Sequence, residues 1–249
     1  MLGFLAWTSV WLVLAVASLL LVVGFLATYP AAATYPAAAP EPPAPSGPPA
    51  RGGLLVTALR QRTVLLGAGL LAVYVGLEIS VGNWGFSYLV TERGQPDLLS
   101  GYTISGYWLG LTLGRFLISP IASRLGVTAA GMTFGCLAGV TAAATLVWLA
   151  PAAAVASAGL ALLGFFLGPI FPTAMAVTPR LTTARLVPTA IGVMNGVSVV
   201  GGAAFPWLAG AISQGVGLWT LLPYAALLAV LQLLIWWRLA LRMAVDPVA

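Results

Sequence analysis

The sequence predicts an all-α, polytopic membrane helical bundle, and three observations carry that prediction. Hydrophobic residues fill 61% of the 249 positions and charged residues only 6%, a balance foreign to soluble domains. The apolar residues fall in long runs, each enough to cross a hydrocarbon core of about 30 Å at about 1.5 Å per residue. The basic residues are ten arginines, mostly in the connections between runs. That placement marks topology signals rather than a nucleic-acid surface.

Met1 to Ala27 is an apolar run without a charge. A secretory leader would have a basic start and a small-residue cleavage site after a shorter core, so a retained span is expected. Residues 28–62 differ in kind. Thr28-Tyr-Pro-Ala-Ala-Ala33 repeats at once as Thr34-Tyr-Pro-Ala-Ala-Ala39, and a proline-dense stretch follows to Pro49. Prolines at this density block a helix and favour an extended, solvated linker.

Residues 63–242 read as six further spans, at about 63–90, 98–122, 126–150, 152–176, 187–213 and 216–240, followed by a tail at 243–249. The connections are short, which predicts antiparallel neighbours in a tight bundle. If the linker is cytoplasmic, Arg51, Arg60, Arg62, Arg124, Arg180, Arg185, Arg238 and Arg242 share its side, while Arg93 stands opposite. This asymmetry predicts a multi-pass protein of the cell membrane with its N-terminus outside and its C-terminus in the cytoplasm.

Within the spans one acid stands out. Glu41, Glu92, Asp97 and Asp246 lie in connections or the tail, whereas Glu78 lies near the middle of the run from 63 to 90. A carboxyl at that depth costs several kcal/mol unless it is neutralised, paired or wet. Two readings stay open: a hydrogen-bonded acid that ties helices together, or a group that binds solute or carries protons. At helical spacing Glu78 shares a face with Tyr74, Gly82 and Gly85. Asn83 and Trp84 add polar and aromatic surface, and Asn83 reaches the same side as Glu78 only if the helix bends or unwinds at Gly82 and Gly85.

The next span carries Gly106, Gly110 and Gly114 at four-residue intervals, a strip that permits close helix approach. Arg115 follows inside the apolar zone, where it must snorkel, pair or cap carbonyls; a structural or gating role is expected ahead of solute binding. Tyr107 is either a cavity residue or packing. In the fourth span Gly168-Pro169 and Pro172 interrupt the backbone ladder, as helices that bend around a path do. Asn195 in the fifth can bond a solute or an adjacent helix. Histidine is absent and Cys136 is the single cysteine, which excludes disulfide frameworks, the usual zinc sites and histidine-based catalysis. No metal, cofactor or enzyme activity is expected.

Gly114-Arg115, then Arg124-Leu-Gly126, then Gly168-Pro-Ile-Phe-Pro172 and Gly201-Gly202 ahead of Pro206 resemble the C-terminal half of a major facilitator superfamily transporter. The pieces around Arg115, Arg124 and Gly126 resemble that superfamily's loop motif between the second and third helices of a half. Its usual acid is replaced here by Ala122 or Ser123, so a conformational lock that depends on the acid is in doubt. Gly76-Leu-Glu78 with Trp84 and Tyr88 resembles the fucose-permease-like, carbohydrate-associated branch.

The resemblance covers Arg60 to about Arg242. It implies one six-helix half of a major facilitator fold plus one preceding span, equivalent to the family's sixth helix, with 28–62 as the central loop. It implies proton-coupled secondary transport of a small solute, sugar-like or drug-like, by alternating access. Glu78, Tyr74, Asn83, Trp84, Tyr107 and Asn195 are then expected at the solute or proton site. Arg115, Arg124, Gly126, Pro169 and Pro172 are expected in gating or structure. The expected partners are the lipid bilayer, a small-molecule solute and protons, without nucleic acid. With five family helices unaccounted for, the expectation is a truncated form, a homo-oligomer or a chain that works with a missing N-terminal half. A non-transporting membrane scaffold or assembly subunit is the alternative.

Overall fold

The computed structural model describes residues 9, 12, 13, 15–24, 51–150 and 152–245. Most of the linker and of the first expected span, and the tail from Asp246 onward, lie outside the described residues. The chain divides into two units, Met1–Pro49 and Ala50–Ala249. The first contributes α1 (Ala15–Gly24), a short apolar helix.

The second unit holds α2 (Arg51–Arg60), α3 (Arg62–Arg93), α4 (Asp97–Arg124), α5 (Ala129–Leu149), α6 (Ala153–Leu167), α7 (Ile170–Val177), α8 (Val187–Val216) and α9 (Leu221–Val245), with no strand among the described residues. α2 falls inside the stretch expected to be extended linker. It starts after Pro49, the last proline of that run, so nothing in Arg51–Arg60 opposes a helix.

Helix ends follow local chemistry. Gly94 closes α3 in the left-handed conformation (φ 59°), its N–H bonded to the Leu89 carbonyl. Gly126 (φ 69°) turns the chain after α4, and the Thr128 hydroxyl caps α5 by accepting from the Gly131 N–H at 3.1 Å. α3 has 32 residues, about 48 Å at 1.5 Å per residue. It exceeds a bilayer core and carries an arginine at each end, where the headgroups lie.

Among the described residues, five helical stretches are long and apolar enough to cross a membrane: Arg62–Arg93, Ala129–Leu149, Ala153–Arg180, Ala184–Val216 and Leu218–Met243. α4 has the length, 28 residues, but not the hydropathy. Its glycines, hydroxyls, tyrosines and Arg115 account for the deficit. The fourth expected span is split into α6 and α7 at Gly168-Pro169. Both residues keep right-handed helical angles, so the hydrogen-bond ladder breaks while the chain runs on.

Apart from α5 and α6, chain neighbours are not the main packing partners. α3 packs against α8 and α9, α4 against α6, and α5 against α6 and α9, while α4–α5 and α8–α9 barely touch. Outside the α5–α6 pair, the short connections therefore fix direction but not contact. The α4–α6 seam depends on glycine. A Cβ on Gly110 would strike the Ala161 carbonyl oxygen, and one on Gly114 that of Phe165. Across the seam Gly164 faces the Tyr107 carbonyl, and a Cβ on Gly168 would lie 2.6 Å from the Arg115 backbone nitrogen. Backbone on both sides leaves no atom free to yield.

Candidate functional site

Glu78 sits in the middle of α3 with 9% of its surface exposed. Arg115 stands on α4, the adjacent antiparallel helix, a similar number of turns from the shared end. Its Nη2 lies 3.6 Å from Glu78 Oε1. At that distance the contact is charge against charge rather than a hydrogen bond. The Glu78 side chain is 11% exposed and the Arg115 side chain 43%, so the pair is open on the arginine side and closed on the acid side.

Two tyrosines complete the cluster, both with no exposed surface. The Tyr107 hydroxyl, from α4, donates to the Glu78 backbone carbonyl at 3.0 Å. Tyr74, one turn before Glu78, faces both the carboxylate and the guanidinium, with its hydroxyl buried and outside hydrogen-bonding geometry. Its ring meets Phe171 of α7 at 6.0 Å, which joins the cluster to the far side of the α6–α7 break. Gly82 and Gly85 bring α3 against Trp108 and Ile104 of α4. They make a helix contact, not a cavity wall.

The remaining expected residues lie elsewhere. α3 runs helical through Gly82 and Gly85, so Asn83 stays exposed and apart from Glu78. Trp84 donates its indole N–H to the Pro206 carbonyl at 2.9 Å, tying α3 to α8. Asn195 is exposed on α8. Pro169 is buried at the α6–α7 break, and Pro172 lines a cleft of about 320 Å³ with Ser119, Ala122, Ser123 and Met132. Arg124 and Gly126 are exposed at the end of α4.

Pairing is among the options that the sequence leaves for Arg115, but sequence reasoning did not name Glu78 as its partner. The signal was present: these are the two charges inside adjacent spans, of opposite sign and matched in depth. Arg93 was missed as well, and it is a cap. Arg93 donates to the Ala150, Val147 and Trp148 carbonyls at 2.8, 2.7 and 2.8 Å and to the Tyr88 hydroxyl at 2.8 Å. It thereby satisfies carbonyls that the end of α5 leaves without partners.

The arrangement offers one buried acid, one half-exposed guanidinium and two tyrosines, and no cluster able to hold a metal is found among the described residues. The family model described as Major Facilitator Superfamily matches residues 1–206. The chain belongs to the major facilitator superfamily.

It is a multi-pass membrane protein of a family of transporters, not enzymes. It is 30% identical over 172 residues to "Bypass of stop codon protein 6" of Saccharomyces cerevisiae, an alignment covering 64% of this chain and 34% of the relative. Its fold is that of the crystal structure of the E. coli fucose:proton symporter FucP, with a TM-score of 0.65 and 16% identity over 76% of this chain and 45% of that one. This superfamily member thus spans about a third of the length of the yeast relative and under half of the solved symporter.

Proposed function

We propose that the chain serves proton-coupled secondary transport of a small solute, with Glu78 as the proton-carrying or solute-binding acid and Arg115 as its counter-ion. The Glu78–Arg115 pair carries this reading: an ion pair set inside a membrane bundle, closed around the acid and open at the base. An intramembrane charge is expensive and is commonly placed on a substrate or proton path. The charged acid is held by Arg115. Once protonated it no longer needs the pair, and the guanidinium is released to bind polar groups of a solute on its exposed side. The likeness of fold to a fucose:proton symporter makes a hydroxyl-rich, sugar-like solute the first class to test.

Alternating access requires two facing halves around one site. The six-helix unit of residues 63–242 supplies one of them, and a second copy of the chain or another six-helix half supplies the opposing wall. The arginine-rich ends of α3 and α9 face the cytoplasm in this scheme, with the N-terminus outside. Uptake in sealed vesicles, across a panel of sugars and small drugs and driven by an imposed proton gradient, tests the proposal. Wild-type flux abolished by Glu78→Gln in folded protein supports it. Flux retained in Glu78→Gln with undiminished dependence on the gradient rejects the role of the acid.

A further inference from the structure

Where α3 begins and α9 ends, two hollows share one arginine. The first, about 200 Å³, is lined by Gln61, Thr63, Arg180, Thr182, Thr183 and Arg242. The second, about 330 Å³, lies among Arg62, Arg238 and Arg242 over Leu65 and Leu66. Transport through the Glu78 cluster uses none of these residues beyond their contribution to topology, and a ligand held here is independent of it.

The site is more than surface charge. Among the described residues the one ion pair is Arg115 with Glu78, so no described carboxylate neutralises these arginines. Thr182 is 3% exposed and its hydroxyl has no partner; the Gln61 side-chain oxygen is likewise buried and unpartnered. The neighbouring Thr63 hydroxyl is already committed to the Leu181 carbonyl at 2.7 Å. Buried polar atoms are ordinarily satisfied, and unsatisfied ones beside a hollow mark a place for a ligand or water.

The lining specifies the ligand. Guanidinium groups fit phosphate oxygens in planar, two-pronged contacts. The Gln61 oxygen accepts only, so it calls for a donor; a headgroup hydroxyl supplies one at any pH, a phosphate monoester only while it is singly protonated. Leu65, 46% exposed, and Leu66 give an apolar floor beside the arginines, on a helix of membrane-spanning length. Arg238 rests 5.9 Å from the Trp237 ring, the pairing of cation and aromatic found at a membrane interface. We propose that this end of the bundle binds a phospholipid with an anionic phosphodiester and a hydroxyl-bearing headgroup, such as phosphatidylglycerol. The phosphate lies among Arg62, Arg238 and Arg242, the headgroup hydroxyls on Gln61 and Thr182, and an acyl chain along Leu65 and Leu66.

Native mass spectrometry of the full chain, equilibrated with equal amounts of phosphatidylglycerol, phosphatidic acid and phosphatidylcholine in detergent, tests the assignment. Wild type is expected to retain phosphatidylglycerol over phosphatidylcholine by about fivefold or more. Arg62→Gln with Arg242→Gln is expected to lose that preference. Thr182→Val is expected to keep the preference for anionic lipid while phosphatidylglycerol falls to the level of phosphatidic acid. Equal retention of phosphatidylglycerol and phosphatidylcholine by wild type overturns the proposal, as does a preference unchanged in the folded double variant. Glycerol 3-phosphate that binds as well as the lipid overturns the lipid assignment in favour of a soluble anion. If the double variant does not fold, the exposed Arg238→Gln alone carries the comparison.

Discussion

Arg115 on α4 holds the Glu78 carboxylate of α3 from 3.6 Å away, and the two are unequally buried, 43% and 11% of each side chain exposed. The acid therefore depends on the arginine more than the arginine depends on the acid. Arg115→Gln leaves an enclosed carboxylate without its counter-ion, whereas Glu78→Gln leaves a guanidinium on a long side chain that is not enclosed and can reorient towards other polar groups. In thermal unfolding in detergent, Arg115→Gln is expected to destabilise more than Glu78→Gln. The double variant should recover part of the loss, with a coupling of about 1 kcal/mol, at the lower end for buried pairs because the arginine is half open. Additive effects would remove the pair from the energetics.

The glycine strip of α4 makes a sharper contrast within one motif. A Cβ on Gly114 meets the Phe165 carbonyl, whereas one on Gly106 meets nothing within 4 Å. Gly114→Ala is expected to lower stability by about 1–3 kcal/mol through overpacking. Gly106→Ala is expected to leave it unchanged or raise it by up to about 1 kcal/mol, since alanine is the better helix former. Equal melting temperatures for the two variants would contradict the α4–α6 seam.

Arg93 is expected to act locally. Arg93→Gln removes a charged donor to three carbonyls around the end of α5, about 2 kcal/mol for hydrogen bonds to a charged group, reduced where they touch solvent. Hydrogen exchange should rise in the last turn of α5 and in the connection to α6, and stay unchanged around Glu78. A uniform rise across the bundle would assign Arg93 a global role instead.

Asn83 and Tyr107 separate what lies in the cluster from what lies beside it. Asn83→Ala, at an exposed position, is expected to fall within about 0.5 kcal/mol of wild type and to leave any Glu78-dependent flux intact. Tyr107→Phe removes a buried hydroxyl and its bond to the Glu78 carbonyl, a loss of about 1 kcal/mol. Flux lost in Asn83→Ala but kept in Tyr107→Phe would place the solute on another face of α3.

Much of the fold was legible because membrane crossing imposes a one-dimensional rule. Every span must be apolar for about 20 residues and must satisfy its own backbone, so runs such as 63–90 and 126–150 announce themselves. Legibility failed where residues serve a neighbour rather than the lipid. The sequence reads a span at about 98–122, where α4 lies, but not why that helix is so polar: one side of it meets α6 through glycine and holds Arg115 towards Glu78. α2 was hidden by the proline run before it, and Arg93 looked like an exception to the charge rule until its three carbonyl partners were seen.

The sequence by itself determined that the chain is an all-helical, multi-pass membrane protein, that Glu78 and Arg115 are the charges to account for, and that the motifs around them are those of the major facilitator superfamily. Only the tertiary structure decided that these two charges meet, that Tyr74 and Tyr107 close over the acid, and that Asn83, Trp84 and Asn195 stand away from it. The physical reason lies in the packing. Helix periodicity fixes which residues share a face of one helix, but the partner of that face is chosen by close approach between helices distant in sequence, α3 with α8 and α4 with α6. No local pattern encodes that choice.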